Sequence, residues 1–114
     1  MKDNDLLQRF FDFAVRVIKL SRDLSNTTEM KVVKNQLIRA VTSIGANYEE
    51  AQAGSSKSDF VNKVNISLKE ARETNYWLRL IKEVENTNLE IEEIIQELKE
   101  IKNILGAIVK KARG

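Results

Sequence analysis

From Ile91 to Ala112, apolar residues recur at alternating intervals of three and four without a miss: Ile91, Ile94, Leu98, Ile101, Leu105, Ile108 and Ala112. That interval is the repeat of one face of an α-helix. Ile95, Ile104 and Val109 widen the stripe. The whole chain of 114 residues contains no proline, so no stretch of similar pattern meets an obligatory stop or kink.

Three more such stretches precede it. Between about Asp5 and Leu24, Leu6, Phe10, Phe13, Val17, Leu20 and Leu24 form one row, and Leu7, Phe11, Ala14 and Ile18 a second row one position on. Both are assigned here to one wide apolar face. From Thr28 to Ala53 the stripe is Met30, Val33, Leu37, Val41, Ile44, Tyr48 and Ala51, with Thr27 or Thr28 as cap and Gly54 expected as a left-handed C-terminal cap. After Gly54-Ser55-Ser56, Phe60, Val64, Leu68, Ala71, Leu78 and Ile81 trace a third stripe to about Val84, with Ser56 and Asp59 spaced as a capping box. Breaks are predicted at Ser25-Asn26-Thr27 and Glu85-Asn86-Thr87-Asn88. Four helical patterns with short connections predict one all-α domain over residues 1–114, an antiparallel up-down four-helix bundle.

Composition removes whole classes of chemistry. With no cysteine and no histidine there is no disulfide, no Cys- or His-ligated zinc, no Ser-His-Asp triad and no thiol nucleophile. The apolar runs are too short for a membrane span or a signal peptide. The expectation is a soluble, cytoplasmic, non-enzymatic protein without cofactors and without a membrane partner. A carboxylate-only metal site around Glu49, Glu50, Glu70 and Glu73 is the weakest alternative, since bundle dimetal sites ordinarily add histidine.

Two features exceed what a monomeric bundle requires. Ile66, Trp77, Leu80 and Val84 lie opposite the core stripe of the third segment. An aromatic with aliphatic neighbours on an outer face is the mark of a protein interface, so self-association is expected. The second segment carries a polar row, Gln36, Arg39, Ser43, Asn47 and Glu50. In a hairpin about Gly54 this row meets Ser67 and Asn75. Ser43 then lies near Ser67, Gln36 near Asn75, and Arg39 within reach of Glu70 or Glu73. The favoured role of this seam is structural, fixing helix register.

Net charge is only +2, yet from Ile101 onward the chain has Lys102, Lys110, Lys111 and Arg113 and no acid. Base at a helix C-terminus complements the helix dipole. It is also what a phosphate backbone recruits, and an oligomer multiplies it. Lys110, Lys111 and Arg113, followed by Lys63 and Arg72, are therefore the candidate contacts to RNA or DNA. A protein-interaction scaffold with no nucleic-acid role is the alternative.

The second and third segments also carry a signature. Gln36-x-x-Arg39-Ala40-x-x-Ser43-Ile44-x-x-Asn47-x-x-Glu50, then Ser58-x-Phe60, then Lys69-Glu70-Ala71-Arg72-Glu73-Thr74-x-Tyr76-Trp77-Leu78, resembles the bacterial four-helix bundle family of 23S rRNA intervening-sequence proteins. The resemblance spans essentially the whole chain and is specific in its middle. Where the family often has Asn-Ile-Ala-Glu-Gly, this chain has Asn47-Tyr48-Glu49-Glu50-Ala51. The resemblance implies a homopentameric ring of four-helix bundles and no catalytic residues. The chain is more distantly similar to the accessory protein of diversity-generating retroelements, a pentameric bundle whose basic surface engages nucleic acid and a reverse transcriptase.

Overall fold

The computed structural model describes residues 3–85 and 90–114, all within or between four helices: α1 (Asp3–Arg22), α2 (Thr28–Gln52), α3 (Lys57–Glu85) and α4 (Glu90–Arg113). The predicted break at Glu85-Asn86-Thr87-Asn88 falls, after Glu85, outside the described residues. Each helix packs on its neighbours in the order α1–α2–α3–α4, with α4 returning to α1, and the diagonal pairs stay apart. Ion pairs fix the directions. Arg9 meets Glu97 while Arg16 meets Glu90, and Lys63 meets Glu50 while Arg39 meets Glu70. Rising numbers on one helix against falling numbers on the next make these neighbours antiparallel. The result is an up-down bundle of 45 × 23 × 20 Å.

The four predicted stripes meet inside. Leu6, Phe10, Phe13, Val17 and Leu20 of α1 face Leu37, Val41, Ile44 and Tyr48 of α2, Val64, Ala71, Leu78 and Ile81 of α3, and Ile94, Leu98, Ile101 and Leu105 of α4, all buried. The Phe10 and Tyr48 rings pack edge to face with centroids 5.1 Å apart. Ala40 and Ala71 are completely buried. Their small side chains suit a close α2–α3 approach, where the Ser67 hydroxyl donates to the Ile44 carbonyl at 2.7 Å.

Local signals set the ends. The Thr27 hydroxyl accepts from the Met30 amide, and the Asp59 amide donates to the Ser56 hydroxyl, so both predicted N-caps form. The C-terminus of α2 differs from expectation. Gly54 does not adopt the left-handed conformation; Ala53 ends the helix with φ −96° and ψ 4°, and the Gly54 amide closes a tight last turn on the Ala51 carbonyl. The chain is crowded there rather than inverted: a β-carbon at position 54 would stand 3.1 Å from that carbonyl oxygen. The second apolar row of α1 also departs from the prediction. Leu7 and Ala14 only edge the core, and Phe11 is 64% exposed.

Candidate functional site

The charged residues partition by helix seam. On the α1–α4 seam Arg9 binds Glu97 at 2.7 Å and Glu100 at 3.2 Å, and Arg16 reaches Glu90 and Glu93. Both carboxylates hold the Arg9 guanidinium firmly in its charged form, the Glu97 hydrogen bonds most of all. On the α2–α3 seam Arg39 binds Glu70 and Glu73, and Lys63 binds Glu50 at 3.1 Å. These two seams thus place seven carboxylates around four cations.

The α3–α4 seam carries more cations than acids. Lys82 and Glu92 pair at one end, beside a pocket where Tyr76, Arg79, Leu80 and Glu83 face Ile95. Helical spacing then carries the seam onward. Arg72 lies seven residues before Arg79, on the same flank of α3, and Lys99, Lys102, Lys110 and Arg113 repeat near the direction of Ile95 on α4. Among the described residues none of these six cations forms an ion pair, and all except the half-buried Lys102 are exposed. Gly106 lies on the same flank, and a β-carbon added there would meet nothing within 4 Å, so the groove along this seam is open at that level.

This groove gathers three of the five predicted phosphate contacts: Arg72, Lys110 and Arg113. Lys111 is one residue off the flank, about 100° round the helix from Lys110, and faces away. Lys63 lies across α3 from Arg72, bound to Glu50. Arg79 and Lys99 belong to the groove and are absent from the predicted set. Their signal was the seven-residue spacing of Arg72 with Arg79 and the Ile95-Lys99-Lys102 step.

The polar seam of α2 forms in part. Arg39 clamps both predicted acids, and its guanidinium is held charged chiefly by Glu73. Glu73 also accepts from the Trp77 indole at 3.1 Å. That bond first, and Arg39 next, hold the Glu73 carboxyl below the usual carboxylate range. The rest bonds differently from the expected cross-helix pairing. Ser43 donates to the Arg39 carbonyl and Asn47 to the Ser43 carbonyl, both one turn back on their own helix. Gln36 accepts from Arg39, and Asn75, half-buried, sits on the α4 side of α3, away from Gln36. Glu50, Glu70 and Glu73 are engaged by cations, and among the described residues no three acidic side chains converge to hold a metal ion.

The predicted interface residues share an outward stripe of α3. Ile66 and Val84 are exposed, Leu80 is half-buried, and Trp77 leans on the core edge with its ring edge-on to the exposed Tyr76. A second apolar surface was not predicted. Leu7, Phe11, Ala14 and Ile18 of α1 and Gly45 and Ala46 of α2 line a groove of about 410 Å³, bordered by Glu49. Among the described residues, no helix is long and apolar enough to cross a membrane.

Fold and surface together define a small all-α protein whose distinctive features, among the described residues, are the charged and apolar flanks of its helices. The chain belongs to the 23S rRNA-intervening sequence protein family, whose model matches residues 2–107. It is similar to a crystal structure from Bacteroides thetaiotaomicron, described as a protein with unknown function from the S23 ribosomal protein family. The TM-score is 0.86 at 43% identity, covering 96% of this chain and 99% of that one. Comparison with curated proteins gives no match.

Proposed function

We propose that this protein is a non-enzymatic, cytoplasmic homo-oligomer, a pentamer as its family resemblance implies, that binds RNA or DNA along the α3–α4 groove. The observation that carries this reading is the run of unpaired cations Arg72, Arg79, Lys99, Lys102, Lys110 and Arg113 on one seam, while the cations of the α1–α4 and α2–α3 seams are tied to carboxylates. Such cations contact phosphates, giving affinity without sequence choice. Repetition around an oligomer turns a protomer of net charge +2 into an extended cationic track.

The test is fluorescence anisotropy with labelled single-stranded and duplex RNA and DNA across a salt series, beside light scattering for mass. Every phosphate that a variant no longer neutralises should lower the slope of log K against log salt by roughly 0.7–0.9. The triple variant Arg72→Ala, Lys102→Ala, Lys110→Ala should therefore bind weakly and with a flatter slope. Lys63→Ala, which removes a cation already tied to Glu50, should change little. Salt-independent binding, or equal affinity of the triple variant and the parent, would refute the reading. A multimer that binds no nucleic acid would shift weight to the protein scaffold.

A further inference from the structure

We propose that the apolar groove between α1 and α2 is the receptor for the outer stripe of α3 on a second copy of this chain, so that the contact is heterologous. This rests on the homo-oligomer reading above and specifies which surfaces meet.

The exposed large hydrophobic residues fall into two sets. Phe11 lies at the α1–α2 groove and Val32 on the outer face of α2, seven residues before Arg39; Ile66, Tyr76 and Val84 lie on α3. The two surfaces differ in relief. The groove has a floor of small residues, Ala14, Gly45 and Ala46, whereas α3 presents Ile66 at that level and, further along the same stripe, Trp77, Leu80 and Val84. A ridge that fits a groove elsewhere on the same molecule makes a head-to-tail contact, and such contacts close into rings when the rotation permits.

Levels along the bundle agree. The Cβ position of Gly45 is 3.5 Å from Phe10, next to Phe11, and the neighbouring Ile44 carbonyl accepts from Ser67, next to Ile66. Phe11 and Ile66 therefore stand at the same height. By the same α2–α3 register, with Arg39 opposite Glu73, Val32 stands level with the turn between Tyr76 and Leu80. Rotation about an axis along the bundle changes no heights, so it brings Ile66 to the level of Phe11, and the turn between Tyr76 and Leu80 to the level of Val32, on the neighbour.

Charge polarity agrees as well. The groove is acidic at its Glu49 end and, one turn past Ile18, basic at Arg22. The α3 stripe is bordered by basic Lys69, near Ile66, and by acidic Glu83, which lies beside Val84 on the Arg79 side. Because α3 runs antiparallel to α2, the same rotation sets Lys69 toward the Glu49 end and Glu83 toward the Arg22 end.

The experiment is light scattering on single-face variants, alone and mixed, with circular dichroism to confirm folding. Phe11→Arg and Ala46→Arg each spoil the groove at an exposed position; Ile66→Arg and Leu80→Arg each spoil the α3 stripe. Expected is a multimeric parent, each variant alone at the 13.1 kDa chain mass, and a one-to-one mixture of a groove variant with a ridge variant at twice that mass. One intact groove and one intact ridge remain in that mixture, which permits a dimer and nothing larger. A multimeric parent whose mass survives both folded groove variants overturns this inference alone. So do variants that remain dimers by themselves, which would mean like-to-like contacts, and so does a mixture that stays monomeric. A monomeric parent overturns the oligomer reading and the pairing together.

Discussion

Replacing Arg39 by alanine separates a structural clamp from a functional site. Arg39 joins α2 to α3 through Glu70 at 3.3 Å and through Glu73, and its side chain is 47% exposed against 17% and 36% for the two acids. At that exposure each pair contributes about 0.2–1 kcal/mol, since water and salt screen the charges. Removing the guanidinium also leaves Glu70 and Glu73, three residues apart on one helix, to repel each other by roughly 0.2–0.5 kcal/mol. The sum is a loss of about 0.6–2.5 kcal/mol, or a fall in Tm of roughly 3–10 °C for a domain of this size.

The assay is denaturant and thermal unfolding at one fixed protein concentration, because association makes stability depend on concentration. A double-mutant cycle with Glu73→Gln should return a coupling of about 0.5–1 kcal/mol. Arg39→Ala with an unchanged or raised Tm, or a cycle with no coupling, would refute the clamp. A raised Tm is the behaviour of a residue retained for function against stability.

Three further outcomes follow from the same geometry. Leu98→Ala, at a fully buried position of α4, should cost about 2–5 kcal/mol by denaturant unfolding, several times the cost of any surface ion pair. Gly106→Ala should stabilise the protein by about 0.4–1 kcal/mol in the same assay, because the position is mid-helix and a β-carbon there meets no neighbour. The third concerns pH: Glu73 is held below the usual carboxylate range in the folded protein, so its stabilising share is present at neutral pH and disappears as acid protonates it. The Tm gap between the parent and Glu73→Gln should therefore shrink in scans from about pH 7 to about pH 3, since protonated Glu73 and glutamine are electrically alike.

The helices, their N-caps and the Arg39 pairs were legible in the sequence because each depends on spacing within one segment or across one short turn. The second row of α1 was not. Two apolar rows about 100° apart both fit a wide core face, and only the placement of α2 and α4 decides which is sealed. Asn75 misled for a similar reason, since the hairpin register gives its height but not the side of α3 on which it lies. The hydroxyl of Ser43 and the amide of Asn47 had carbonyls within reach one turn back on their own helix, a local competitor that cross-helix pairing always faces.

Lys63 and Arg72 were a different matter, because their separation was decidable from the chain itself. Nine residues make two and a half helical turns, so the two cations occupy opposite flanks of α3 and cannot share a surface. The same counting joins Arg72 to Arg79 and strings Lys99, Lys102, Lys110 and Arg113 along one flank of α4. A net charge of +2 conceals this, because it averages over seams that differ in sign. Seven carboxylates are drawn to four cations on the α1–α4 and α2–α3 seams, and, among the described residues, six of the cations left without an ion pair line the α3–α4 seam. The segregation that zips those two seams of the bundle is thus the same one that leaves these six cations of the α3–α4 seam without carboxylate partners.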